Sequence, residues 1–205
     1  MAITSILRYL RLKIIVTLLR CVVRWRQGPF LIPPAPLRRK LVQIPSREAG
    51  RVIDAWLYYP DDPALINWHG SGFVFPSLSI DHEYCSQIAQ KAGIFVLDAD
   101  YRKSPEHPYP APVEDVEDVL AWVGEQSTFI DASRLAVSGF SAGAVLAFVA
   151  ASVLRSSYPK LNIRAALGVY PGTDLATDPQ TRIIPAPVQP IPPKVLDIFL
   201  TRTRR

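Results

Sequence analysis

From residue 41 onward, short apolar runs alternate with longer stretches of helical period. Residues 41–44 and 52–59 read as two strands flanking a turn at Gly50, and 64–68, 94–98, 134–138 and 164–170 read as four more. Between them, 80–92, 112–126 and 142–154 carry apolar residues three and four apart, which predicts helices. Strands three to six alternating with helices imply right-handed crossovers. The expected architecture is therefore α/β: a mainly parallel sheet of about six strands with helices on both faces. Such sheets hold ligands at the carboxyl ends of their strands. No internal repeat interrupts the pattern.

Ahead of this body, Ile3, Leu7, Leu10, Ile14, Leu18, Cys21 and Trp25 recur at helical spacing and predict an N-terminal amphipathic helix over 1–27. Arg8, Arg11, Lys13, Arg20, Arg24 and Arg26 fall outside that stripe. No uncharged run here exceeds seven residues, too short to span a bilayer, and there is no signal-peptide core with a cleavage site. Three readings stay open: a helix lying on an anionic membrane surface, a lid helix packed on the body, and an organelle transit sequence. Gly28-Pro29 and Pro33-Pro34-Ala35-Pro36 stop the helix, so 28–40 reads as a proline-rich linker.

Charge sharpens this division. Ten of the 23 Lys and Arg precede the first acid, Glu48, so a net charge of +5 hides a mildly acidic body of 13 bases and 18 acids. No basic stripe lies on the folded part, which excludes a nucleic-acid surface. With 205 residues, 49% of them apolar, one domain with a real core is expected. Cys21 and Cys85 have neither CxxC nor Cys/His spacing. They read as reduced packing cysteines, with no disulfide framework and no zinc or other metal site.

Candidate chemistry begins where the fifth strand meets its helix, at Gly139-Phe140-Ser141-Ala142-Gly143, a G-x-S-x-G nucleophile elbow. The turn is so tight that the serine adopts a strained backbone and side chains at either glycine would meet neighbouring backbone. The hydroxyl is lifted above the sheet beside the positive end of the following helix. At the end of strand three, His69-Gly70-Ser71-Gly72-Phe73 is a glycine-rich loop of the kind whose amides stabilise an oxyanion.

Between these two motifs runs a third, Asp98-Ala99-Asp100-Tyr101-Arg102-Lys103-Ser104-Pro105-Glu106-His107-Pro108-Tyr109-Pro110-Ala111-Pro112. The three, in this order over residues 40–180, resemble the hormone-sensitive-lipase-like esterases of the α/β-hydrolase fold, whose members show HGGGF, DYRLAPEHPFPAA and GDSAGG. The resemblance implies that Ser141 is the nucleophile of a cofactor-free hydrolase of small or medium carboxylic esters. It implies that the amides of Ser71, Gly72 and Ala142 form the oxyanion hole and that His69, with Gly70, orders that loop. Glu106 and His107 look like structural members of a buried loop, and His82 like the start of a helix. Against the family pattern, Ser71 replaces the middle glycine and Phe140 the acid. The Cβ of Ser71 is expected to narrow the entrance for the acyl group.

In this fold the triad runs Ser, then acid, then His. No histidine follows Ser141 here, and the acids after it are Asp174, Asp178 and Asp197. The fold is accordingly read as an incomplete α/β-hydrolase with its core at 41–182 and the start of a cap region at 183–205, including a short helix over 194–201. Three functional readings follow: a piece of an active esterase with little activity of its own, a non-catalytic ligand-binding module, or an esterase whose base is unrecognised or supplied by a partner. The expected partners are a small-molecule ester, a membrane surface through 1–27, and a second copy of the chain at the open edge of strand six.

Overall fold

The computed structural model describes residues 2–27, 39–59, 64–126, 128, 130–175, 177 and 181. Of the expected linker at 28–40, residues 28–38 lie outside the described residues, as do the cap region at 183–205 and its helix over 194–201, whereas 39–40 belong to a strand and not to the linker. The elements follow in the order α1 (Ala2–Gln27), β1 (Arg39–Pro45), β2 (Val52–Tyr58), β3 (Ala64–Trp68), α2 (His82–Ala92), β4 (Phe95–Ala99), α3 (Ala111–Glu125), β5 (Leu135–Phe140), α4 (Ala142–Val149) and β6 (Ile163–Val169). One wider helical turn, Ala150–Leu154, continues α4. β1 starts two residues before its apolar run because the ladder to β2 extends through Arg39↔Tyr58 and Lys40↔Leu57.

The six strands form one sheet in the order β1-β2-β4-β3-β5-β6. β2 runs antiparallel to both neighbours, while β4, β3, β5 and β6 are parallel. β3 and β4 are buried along their whole length, as strands covered on both faces must be. Alternate residues divide the core. Ala64, Ile66, Trp68, Leu97, Ala99 and Val137 pack on one face with Val116, Val119, Leu120 and Val123 of α3 and Leu146 and Ala147 of α4. Leu65 and Val96 point to the other face and meet Cys85 and Ala89 of α2.

A salt-bridge network ties α3 to the front of the sheet. Asp115, wholly buried, accepts from the Arg102 backbone amide at 2.7 Å and from its Nε at 3.0 Å, and is also paired with Arg51. Asp118 takes Arg47 at 2.7 Å.

α1 has two apolar faces. Leu12, Ile15, Leu19 and Val23 are half-buried and Val16 is fully buried. The stripe read from the sequence lies on the opposite side: Leu7, Leu10, Ile14, Leu18, Cys21 and Trp25 are exposed. Cys21 is therefore not a packing residue, whereas Cys85 is. Arg20 also departs from the expected solvent-facing set. It turns inward, donating to the carbonyls of Val74 at 2.8 Å and Ser104 at 2.9 Å and to the Glu106 carboxylate at 3.2 Å. Five bonds from one side chain to these three residues latch the helix to the two loops that flank the motifs.

Candidate functional site

The elbow is built by sterics. Ser141 sits between β5 and α4 at φ 51° and ψ −113°, a region that a side-chain-bearing residue occupies only under constraint. A Cβ on Gly143 would lie 1.8 Å from the Trp68 carbonyl oxygen, and one on Gly139 2.3 Å from the Gly143 carbonyl carbon. Both glycines are thus demanded by the close approach of α4 to β3 and by the fold of the elbow on itself. The Ser141 amide donates to Val169 O at 2.9 Å, hanging the elbow on the end of β6. Ser141 is half-buried, and Ala142 opens α4, where amides have no partner within the helix.

Beside it, the loop of Gly70, Ser71 and Gly72 leaves β3 and turns through Gly72 at φ 57° and Phe73 at φ 59°. Ser71 O accepts from the amides of Val74 at 3.1 Å and Phe75 at 2.9 Å, closing the turn. The Ser71 hydroxyl is engaged. Tyr101 OH donates its one proton to His69 O at 2.7 Å, so the 2.6 Å contact between Ser71 Oγ and the phenol is donated by the serine. Ser71 Oγ in turn accepts from the Phe73 amide at 3.0 Å. The extra side chain therefore braces the loop, a role missed in the sequence, where the Ser71 amide was assigned to the oxyanion hole and its side chain only a narrowing effect.

His69 is wholly buried and stacked on Tyr101, its Nε2 at 2.9 Å from Asp100 Oδ1. Burial holds the imidazole pKa down, against the pull of Asp100, so the ring is neutral at pH 7 and Nε2–H donates. Burial works to raise the pKa of Asp100, but the His69 hydrogen bond and the Lys103 charge prevail and hold it well below the usual range. Lys103, itself buried, donates to Asp100 at 2.6 Å and lies over the Tyr101 ring. Its part was not foreseen, although a lysine standing where the family pattern has leucine was a visible signal.

Of the other histidines, His82 does start α2, bonded to Tyr58 OH at 2.8 Å and Arg39 at 2.9 Å. His107 is exposed, contrary to the buried place expected of it, because the turn buries Ser104 and leaves 107 outward. None of the three histidines lines the cavity of Ser141 among the described residues.

That cavity, about 470 Å³, is lined by Ser141, Gly70 and Ser71, by Ile80, Asp81 and Tyr84 at the start of α2, and by Phe140 and Tyr170. Phe140 meets Tyr84 edge-on at 5.0 Å and Tyr170 at 5.9 Å, so the residue in the family's acid position makes an aromatic wall. A second cavity of about 410 Å³ is largely apolar, with Phe73, Tyr109, Val113, Val145, Leu146 and Val149 in its walls.

A polar row absent from the sequence reading lies beneath the first cavity. Asp98, Asn67 and Ser138 occupy facing positions on β4, β3 and β5. Asn67 donates to Asp98 at 2.8 Å and to Asp81 at 3.2 Å and accepts from Ser138 at 2.8 Å. Burial pushes the Asp98 carboxyl up to about 7 and the Asp81 carboxyl up to about 6.

Comparison with known proteins gives the family and the fold. The family described as the alpha/beta hydrolase fold matches residues 65–201. An ethyl acetate hydrolase of Pseudomonas putida is 37% identical over 134 residues, 61% of this chain and 42% of that protein. The carboxylesterase NlhH of Mycobacterium tuberculosis is 36% identical over 143 residues, 67% of this chain and 44% of the relative. The crystal structure of EstE1, a thermostable carboxylesterase from a metagenomic library, superposes with a TM-score of 0.72 at 27% identity, covering 91% of this chain and 66% of that one. The chain thus spans less than half the length of these two curated relatives.

Proposed function

Since the chain belongs to the α/β-hydrolase fold family, in its hormone-sensitive-lipase-like branch, we propose that it carries the nucleophile and oxyanion hole of a carboxylic ester hydrolase. The observation that carries this reading is the strained Ser141 turn sharing one cavity with Gly70 and Ser71 of the loop after β3. Ser141 Oγ attacks the ester carbonyl. The amides of Ser71, Gly72 and Ala142 hold the oxyanion, the alcohol leaves, and water releases the acyl group. Among the described residues no hydrogen bond engages the Ser71 or Gly72 amide, which leaves both donors for this task. The buried His69–Asp100–Lys103 cluster positions the loop, and the apolar cavity takes the acyl chain.

The proton of Ser141 needs a base, and no histidine stands at the cavity among the described residues. Turnover by this chain alone is accordingly low. Its partners are the small ester, an anionic membrane surface at the outward face of α1, and a second chain at β6. The membrane reading rests on the exposed apolar stripe and on Arg8, Arg11, Lys13 and Arg24 to its sides. Packing of the opposite face on the body makes the lid reading part of the same helix.

The test is a crystal soaked with butylboronic acid, which forms a tetrahedral adduct on a serine without needing turnover. The expected result is a boronate on Ser141 with one oxygen about 3 Å from the three amides, lost in Ser141→Ala. A boronate absent from Ser141, or with its oxygen turned from the Gly72 loop, refutes the reading.

A further inference from the structure

Asp81 is the one charged residue lining the Ser141 cavity among the described residues, and its carboxylate has a single partner there, the Asn67 amide at 3.2 Å. No lysine or arginine stands beside it to neutralise it. Three aromatic rings, Tyr84, Phe140 and Tyr170, line the same space, with Phe140 packed against the other two. Aromatic faces carry partial negative charge and attract cations, most effectively weakly hydrated ones such as alkylammonium groups. A carboxylate beside such rings makes the Asp81 end of the cavity negative, while the amide donors lie at its Ser141 end. A cation at the Asp81 end gains charge attraction that a neutral group of the same shape does not.

We propose that this cavity is a cation site, which takes the ammonium end of an amino-alcohol or choline-type ester while the scissile carbonyl lies over Ser141. The identification of that ester as substrate rests on the hydrolase reading; the cation site itself does not. The division of space fits. The loop after β3 gives Gly70 and Ser71 to the aromatic cavity and Phe73 to the apolar one, so an ester seated at Ser141 would send its acyl chain towards Val145 and Val149 and its charged alcohol towards Asp81. Phe140 makes this possible. The family's usual residue at that position is an acid, and phenylalanine supplies the ring that Tyr84 and Tyr170 pack against.

The experiment compares choline with its neutral isostere 3,3-dimethylbutanol by calorimetric titration of the chain. Both the wild type and Ser141→Ala are used, so that the result is independent of catalysis. Choline is expected to bind about tenfold more tightly than the neutral alcohol in both proteins. Asp81→Asn keeps the volume and an oxygen acceptor for Asn67, and is expected to remove most of that preference while leaving 3,3-dimethylbutanol unchanged. Phe140→Leu, with an unchanged circular-dichroism spectrum, is expected to weaken choline several-fold. Equal binding of the two alcohols, binding of neither at 10 mM, or a preference that survives Asp81→Asn overturns the proposal. A retained choline preference with no boronate on Ser141 would instead overturn the hydrolase reading alone.

Discussion

Replacing Gly143 by alanine puts two effects of opposite sign in competition. Gly143 lies in the first turn of α4, where alanine would by intrinsic propensity stabilise the helix by up to about 1 kcal/mol. Its Cβ, however, would stand 1.8 Å from Trp68 O and 2.7 Å from His69 O, both backbone atoms of the core strand and the loop after it. Carbon and oxygen need about 3.5 Å, so α4 and β3 must part by more than 1 Å. Overpacking against movable side chains costs about 1–3 kcal/mol, and backbone against backbone lies at or above the top of that range. A net loss above about 3 kcal/mol is expected, a large part of the roughly 5–15 kcal/mol that holds a domain together. Gly124, near the end of α3, is the control: its Cβ would meet only Leu161 Cδ2 at 3.5 Å, the tip of a flexible side chain. Gly124→Ala should gain about 0.5–1 kcal/mol. At about 2–4 °C per kcal/mol for a domain of this size, thermal unfolding followed by circular dichroism should show Gly143→Ala lowered on the order of 10 °C and Gly124→Ala raised slightly. A Gly143→Ala protein melting within about 2 °C of wild type would mean that α4 does not approach β3 as described, and the placement of Ser141 would fall with it.

Three further outcomes are expected. Asp98 is protonated more readily folded than unfolded, so its stabilising contribution is full below about pH 4 and is lost as pH rises through about 7, with Asp81 adding the same sign near 6. The unfolding free energy from urea titrations should fall between pH 5 and 8 by on the order of a few kcal/mol in wild type and stay flatter in Asp98→Asn; parallel curves would refute the assignment. Sedimentation with liposomes should require anionic lipid, weaken with salt and disappear in Ile14→Asp/Leu18→Asp, both outward residues of α1, whereas binding unchanged in that variant would rule out this face. Finally, β6 is one of the two edge strands among the described residues and exposes Leu167 and Val169, so light scattering should detect self-association that Leu167→Lys reduces; a monodisperse monomer in wild type would show that edge to be covered.

What was legible in the sequence, and what was not, follows from the range over which each feature is determined. The strands and helices were legible because a buried parallel strand is a short apolar run and a packed helix repeats at three and four residues; the differences are confined to ends such as 39–40 and 80–81. The elbow was legible because its sterics are local: Gly139 and Gly143 are close to Ser141 in both sequence and space. The outward face of α1 was found, but its docked face was not. Leu12, Val16 and Leu19 have the same period as the exposed stripe, and hydropathy alone does not say which of two apolar faces meets the body. Arg20 would have been counted with the solvent-facing arginines by any pattern, since its partners at 74, 104 and 106 are visible only once the loops are folded.

The polar row is the clearest instance of pairing that local pattern does not contain. Asn67, Asp98 and Ser138 are each a single polar residue near the carboxyl end of an apolar strand, and each alone would be read as a blemish. Parallel register brings them side by side from positions 31 and 71 residues apart in the chain. Asn67 then passes the effect on to Asp81. Burial pushes both carboxyl groups up, Asp98 to about 7 and Asp81 to about 6, and the Asn67 amide, donating to each, holds both down, so Asp81 keeps most of its charge at the cavity at pH 7. The charge beside Ser141 therefore depends on an asparagine that never touches the cavity, which is why no motif around Ser141 could have announced it.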